Sequence, residues 1–161
     1  MSTGNETIYL LDTNVLFELS LWLPMDLNKP FWSKAEAALS DGKWILLDAV
    51  VGEIRLENDG LKKWCEEQKR KGLVRNINDA HRSRAVEINN QYKMIDETTL
   101  RSTVDTYLIA YAEANGFVIF SREGFRKKEG DLYKIPDVCK ELHLKVLRKP
   151  REFFEAIGHK S

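Results

Sequence analysis

One run constrains this chain more than any other: Ile8-Tyr9-Leu10-Leu11-Asp12-Thr13-Asn14-Val15-Leu16. A short apolar segment stops on a carboxylate, passes two polar residues and enters a helix-like apolar pattern. It reads as a buried strand running directly into a helix. In open α/β sheets ligands gather outside the carboxyl ends of the strands, so the acid is carried to the place where a ligand would bind. Asp12 there suits a metal ligand, and equally a cap for the helix that follows, whose first N–H groups need acceptors.

The rest of the chain repeats this alternation. Apolar runs predict further strands at Trp44–Leu47, Phe117–Phe120 and Lys145–Leu147, and a weak strand or extended link at Leu73–Ile77. Helices are predicted over Asn14–Leu21, Pro30–Leu39, Val50–Asn58, Leu61–Lys71, Asp79–Met94, Thr99–Asn115, Ile135–Leu142 and Arg151–Ile157. The strongest is Thr99–Asn115, where Val104, Leu108, Tyr111 and Ala112 recur at spacings of three and four before Asn115-Gly116 ends it. Strands alternating with helices imply an α/β fold with a parallel sheet covered by helices. The 161 residues suit one domain, expected over 8–157. A polar, extended or disordered lead-in at 1–7 and a short tail at 158–161 complete the chain.

Charge narrows the function classes. The 25 basic and 25 acidic side chains cancel, which argues against a general nucleic-acid coat or a membrane-surface protein. A nuclease remains open, because acids gathered at a metal offset basic patches. Cys65 and Cys139 match no zinc spacing and no disulfide framework and read as reduced, buried or half-buried thiols of a cytoplasmic protein. Met1–Thr7 lacks a signal peptide's basic region, and the apolar run Trp44–Val51 is too short to span a bilayer.

Four acids are hard to explain as solubilising charge. Asp12 ends a strand; Glu53 lies in Val50-Val51-Gly52-Glu53-Ile54; Asp105 lies inside the most apolar helix; Glu123 follows the Phe117–Phe120 strand by three residues. Carboxylates near a core are costly unless paired or metal-bound. Each has a plain alternative: a cap for Asp12, a surface pair with Arg55 or Lys62 for Glu53, a favourable N-terminal helix charge for Asp105 and a solvated loop for Glu123. Together, at strand ends and helix starts of one α/β chain, they suggest a cluster.

Leu10-Leu11-Asp12-Thr13-Asn14, Glu53, Val104-Asp105-Thr106-Tyr107-Leu108-Ile109-Ala110 and Phe120-Ser121-Arg122-Glu123 resemble, in order and spacing, the PIN-domain nucleases. Lys134-Ile135-Pro136-Asp137-Val138-Cys139 resembles the bacterial DUF4411 type of PIN-like proteins. The resemblance implies one PIN-like domain with a parallel sheet of four or five strands. It also implies a carboxylate cluster holding Mg²⁺ or Mn²⁺, and endoribonuclease activity on single-stranded RNA. Many bacterial members are toxins of toxin–antitoxin pairs, restrained by a small antitoxin protein. By position, Asp12, Glu53 and Asp105 match three core acids. At the fourth, family members commonly carry an Asp two residues after a Ser or Thr; this chain has Glu123 after Ser121, with Asp137 as a rival.

Hard carboxylate oxygens suit Mg²⁺ or Mn²⁺. Thr13, Asn14, Thr106 and Ser121 are candidates to orient waters or phosphate around them. The basic loop Arg122–Lys134, with Arg122 and Lys134 at its ends, is expected beside the site for phosphate contacts. His81, His143 and His159 fall outside these motifs and read as surface or structural. Trp22, Trp32, Trp44 and Trp64 read as packing residues, with Trp22 and Leu23 a candidate patch for a homodimer or an antitoxin.

Overall fold

A computed structural model describes residues 7–54, 59–149 and 151. In chain order the elements are β1 (Tyr9–Leu11), α1 (Thr13–Trp22), α2 (Lys29–Ser40), β2 (Trp44–Ile45), α3 (Asp48–Gly52), α4 (Asp59–Arg70), α5 (Asp79–Gln91), α6 (Thr103–Asn115), β3 (Val118–Phe120), α7 (Ile135–Glu141) and β4 (Val146–Leu147). The four strands form one all-parallel sheet in the order β2-β1-β3-β4. Seven helices flank it among the described residues. This is the α/β architecture expected, and it is consistent with a PIN-like single domain.

The topology decides where a site can form. From β1 the chain steps outward to β2, and from β3 it steps outward the other way to β4. The strand order therefore reverses between β1 and β3, the switch point at which open α/β sheets leave a crevice. Register brings the strand ends level: Leu11 pairs with Phe120, and Phe120 with Leu147. Asp12 and Ser121, the residues just beyond β1 and β3, thus emerge side by side. The Asp12 N–H donates to the Phe120 carbonyl at 3.0 Å, and the Ser121 N–H to the Leu147 carbonyl at 3.0 Å.

The strands read as continuous apolar runs because they are buried. Leu10, Leu11, Ile119 and Phe120 are at most 1% exposed, and burying each side chain is worth about 1.5–3 kcal/mol. Trp32 and Trp44 are core residues, while Trp64 meets Trp32 edge-on with ring centroids 5.1 Å apart. Trp22 differs: it is exposed, as are Leu21 and Leu27. No described helix is long and apolar enough to cross a membrane.

Several element boundaries differ from the sequence reading, each for a local reason. The helix expected from Thr99 starts at Thr103, because Leu100 and Ser102 have left-handed backbones, with φ of 59° and 73°. The Asp96 carboxylate instead holds a turn by accepting the N–H groups of Thr98 and Thr99. The helix expected to reach Met94 stops at Gln91, and the Asn89 side chain then accepts the N–H groups of Met94 and Ile95. The expected helix Val50–Asn58 is the short α3, with Glu53 at its C-cap; its last four positions lie outside the described residues. Leu73–Ile77 is neither a full strand nor a free link: Arg75 makes a single parallel bridge to Leu47. Of the expected lead-in 1–7 all but the last residue, of the expected helix Arg151–Ile157 all but the first, and the whole expected tail 158–161 also lie outside the described residues.

Candidate metal centre

Asp12 takes the capping role that its sequence position allowed, and it also joins a cluster of acids. Its backbone is extended, so it caps α1, with Oδ1 accepting the Thr13 N–H at 2.7 Å. Its Oδ2 accepts the Ser121 hydroxyl at 2.7 Å. The same hydroxyl oxygen accepts the Glu123 N–H at 3.1 Å, so Ser121 joins two of the acids. Asp105 stands in the first turn of α6, where the helix's free N–H groups favour negative charge. Glu123 reaches the site from the segment after β3, and its Oε1 accepts the Ile135 N–H at 2.9 Å.

Asp12, Asp105 and Glu123 each offer an oxygen, and the three oxygens lie within 4.8 Å of one another. None of the three makes an ion pair with a Lys or Arg among the described residues. Burial pushes the Asp105 carboxyl up to about 8, helped by the charges of Asp12, Glu123 and Glu53. Burial likewise pushes Asp12 up to about 6, against the opposing hydrogen bonds from Ser121 and Thr13. Glu123 is raised by burial too, with the Ile135 N–H and Lys134 working the other way. Three converging carboxylate oxygens, whose ionisation is opposed by burial and by one another's charge, fit a hard divalent ion.

The fourth acid stands differently. Glu53 is exposed at the end of α3, and Thr13 Oγ1 donates to its Oε1 at 2.5 Å. It lines the same open cleft but lies outside the tight triad. Lys62, offered as its surface partner, turns instead to Glu66 and the Ile54 carbonyl. Family resemblance ranks Glu53 as a core acid and Glu123 as the weaker match; the geometry puts Glu123 inside the triad and Glu53 at the rim. Asp137, the rival, is committed elsewhere. Its Oδ2 accepts the N–H groups of Arg126 and Lys134, both at 2.9 Å, which closes the basic loop at the start of α7.

The other expected residues divide. Thr13 and Asn14 line the cleft, and Asn14 Oδ1 also accepts the Arg122 N–H at 3.1 Å. Ser121 is buried against Asp12. Thr106 faces its own helix, donating to the Thr103 carbonyl at 2.6 Å. The Arg122 guanidinium bonds Glu18 at 2.7 Å and the Arg148 carbonyl, and lies over the Trp22 ring. That makes it a brace between α1 and the end of β4. Lys134 is exposed, with its charge felt at Glu123. His81 helps cap α5 with Asn78 and packs beside Tyr111.

The cleft has a volume of about 290 Å³ and is lined by Asp12, Asp105, Glu123 and Glu53 with Thr13, Asn14 and Phe17. Phe17 was not singled out from the sequence. The signal was there in its spacing, since residues three and four apart share a helix face, and Thr13 and Asn14 precede it by four and three.

The fold and the site together define an α/β protein with a carboxylate cluster at the switch point of a parallel sheet. Residues 9–160 match the model of the family described as Domain of unknown function (DUF4411), and the chain belongs to that family. No curated protein and no solved structure matches it.

Proposed function

We propose that this chain is a PIN-like, metal-dependent endoribonuclease that hydrolyses phosphodiester bonds in single-stranded RNA. One observation carries the reading: the convergence of Asp12, Asp105 and Glu123 oxygens within 4.8 Å at the sheet's switch point. The order of the acids along the sequence supports it independently.

These three carboxylates would hold Mg²⁺ or Mn²⁺, which when bound supplies an acidified water and charge neutralisation at a phosphate. The chain's own groups do the positioning. Ser121 and the Thr13 N–H fix both oxygens of Asp12. The Ile135 N–H fixes Glu123. Glu53, on the rim, is placed to accept a proton or orient a water, with Thr13 holding its carboxylate. Lys134, exposed and with its charge felt at Glu123, offers positive charge for a phosphate.

The biological reading is the toxin of a toxin–antitoxin pair acting in the cytoplasm. The exposed apolar group Leu21, Trp22 and Leu27 supports a docking face for a small antitoxin or a second copy, and the buried, free Cys65 and Cys139 suit a reducing compartment. A second reading, a PIN scaffold that binds without cutting, draws on one fact: Glu53 and Glu123 each already bond the protein, through Thr13 and Ile135.

Purified wild type, Asp12→Asn and Asp105→Asn, assayed side by side on RNA, DNA and a small phosphodiester with Mn²⁺, test the proposal. The expected result is RNA cleavage by the wild type alone, all three proteins remaining folded. Full activity in both variants rejects it. Metal binding without cleavage of any substrate selects the scaffold.

A further inference from the structure

Among the described residues lining the carboxylate cleft, Phe17 alone is apolar. It is half-buried: it packs against the core, yet it forms part of the cleft wall. Its position on α1, one turn beyond Thr13 and Asn14, puts it on the helix face that meets the acids. A hard cation takes oxygen ligands, so an aromatic ring adds nothing to holding one. An aromatic ring in a cleft wall has another use, because a flat nucleobase packs on it well. Every nucleobase presents a matching face, and base–aromatic stacking holds single strands largely without regard to sequence. Bases in a duplex are already stacked on one another and must be extruded before they can enter a pocket. Lys134, exposed beside Glu123, supplies positive charge for the same strand's backbone.

We infer that Phe17 is the base-stacking wall of this site: a nucleobase adjoining the metal-bound phosphate lies on its ring, whatever the base and whether the sugar is ribose or deoxyribose. This inference rests on the nuclease reading for the identity of the bound phosphate. It is tested by binding, which does not depend on cleavage.

The test is the equilibrium affinity of labelled single-stranded RNA, and of single-stranded DNA of the same sequence, for wild type, Phe17→Ala, Phe17→Leu and Phe17→Trp in Ca²⁺. An RNA lacking its bases is the control, and Mn²⁺-induced thermal stabilisation reports the integrity of the cleft. Phe17→Ala and Phe17→Leu are expected to weaken both intact ligands by roughly 5- to 150-fold, the range for one lost stack. Phe17→Trp should retain affinity. The baseless RNA should bind all four proteins alike, and the Mn²⁺ response should be unchanged throughout. Wild-type affinity in Phe17→Ala or in Phe17→Leu overturns the inference. So does a loss of RNA affinity that comes with a lost Mn²⁺ response, because the cleft itself has then collapsed, and so does a wild type that binds no single strand. Failure of the wild type to cut RNA in Mn²⁺ sinks the nuclease reading instead, and the four affinities still decide the stack.

Discussion

The Ser121 hydroxyl donates to Oδ2 of Asp12 at 2.7 Å across 109 positions of sequence, with both side chains buried. The bond exists because β1 and β3 pair in parallel with Leu11 opposite Phe120, which places the next residue of each strand at the same level. It fixes the direction of the Asp12 carboxylate, and it favours the ionised form against the burial that opposes it.

Ser121→Ala is therefore expected to act twice. Removing a buried donor to a charged acceptor costs about 1–3 kcal/mol of stability. Loss of the orienting partner should lower Mn²⁺ affinity by roughly tenfold. Thermal denaturation with and without Mn²⁺ measures both. An unchanged Mn²⁺ response would mean that Ser121 packs against Asp12 without orienting it.

Asp105 sets a pH dependence. Its carboxyl titrates near 3.9 in an unfolded chain and at about 8 in the folded one. A raised pKa means that the folded state holds the proton more tightly, so ionisation opposes folding. Stability from this group is whole below about pH 4 and is lost progressively as pH rises to about 8. Asp105→Asn cannot ionise. In chelator it should match the wild type at the acid end and melt at an increasingly higher temperature than the wild type as pH rises towards about 8. A melting-temperature gap that stays constant across this range contradicts the assignment.

Glu123 and Glu53 can be ranked by calorimetry. Glu123 belongs to the triad and Glu53 to the rim. Glu123→Gln should lower Mn²⁺ affinity by about tenfold or more, the scale set by losing even an outer partner of a ligand. Glu53→Gln should cost less than Glu123→Gln while still reducing cleavage. The reverse order of affinities would restore the ranking suggested by family resemblance.

Cys65 and Cys139 are free and buried, and burial pushes each thiol up to about 12. Both should be inert to a thiol reagent in the native protein and react fully in denaturant. Rapid labelling of either in native buffer would show that the core opens there.

What the sequence made legible is what local chemistry determines. Leu10-Leu11 must be buried, Asp12 must follow them out of the sheet, and Asn115-Gly116 must end a helix whose last turn reaches a left-handed glycine. The alternation of strands and helices then leaves few parallel topologies. Less legible was anything that depends on side-chain direction across the fold. Whether Glu53 points into the triad turns on where α3 stops, and Gly52-Glu53 gives no periodic signal for that. Asp137 and Glu123 look alike as acids near a basic loop. Only the folded loop shows one carboxylate taking two backbone N–H groups and the other facing Asp12. Thr106 has the right neighbour in Asp105 but turns back to its own helix.

The central claim is that Asp12, Asp105 and Glu123 together bind one kind of hard cation, and titration calorimetry with Mn²⁺ tests it most directly. Run near neutral pH in buffers of different ionisation enthalpy, it also counts protons released. Because Asp105 is pushed up to about 8, it is largely protonated there, so a bound cation must displace that proton. Saturable binding with proton release in the wild type, abolished in Asp105→Asn, is the predicted result. No saturable binding, or equal binding by Asp105→Asn, would contradict the claim.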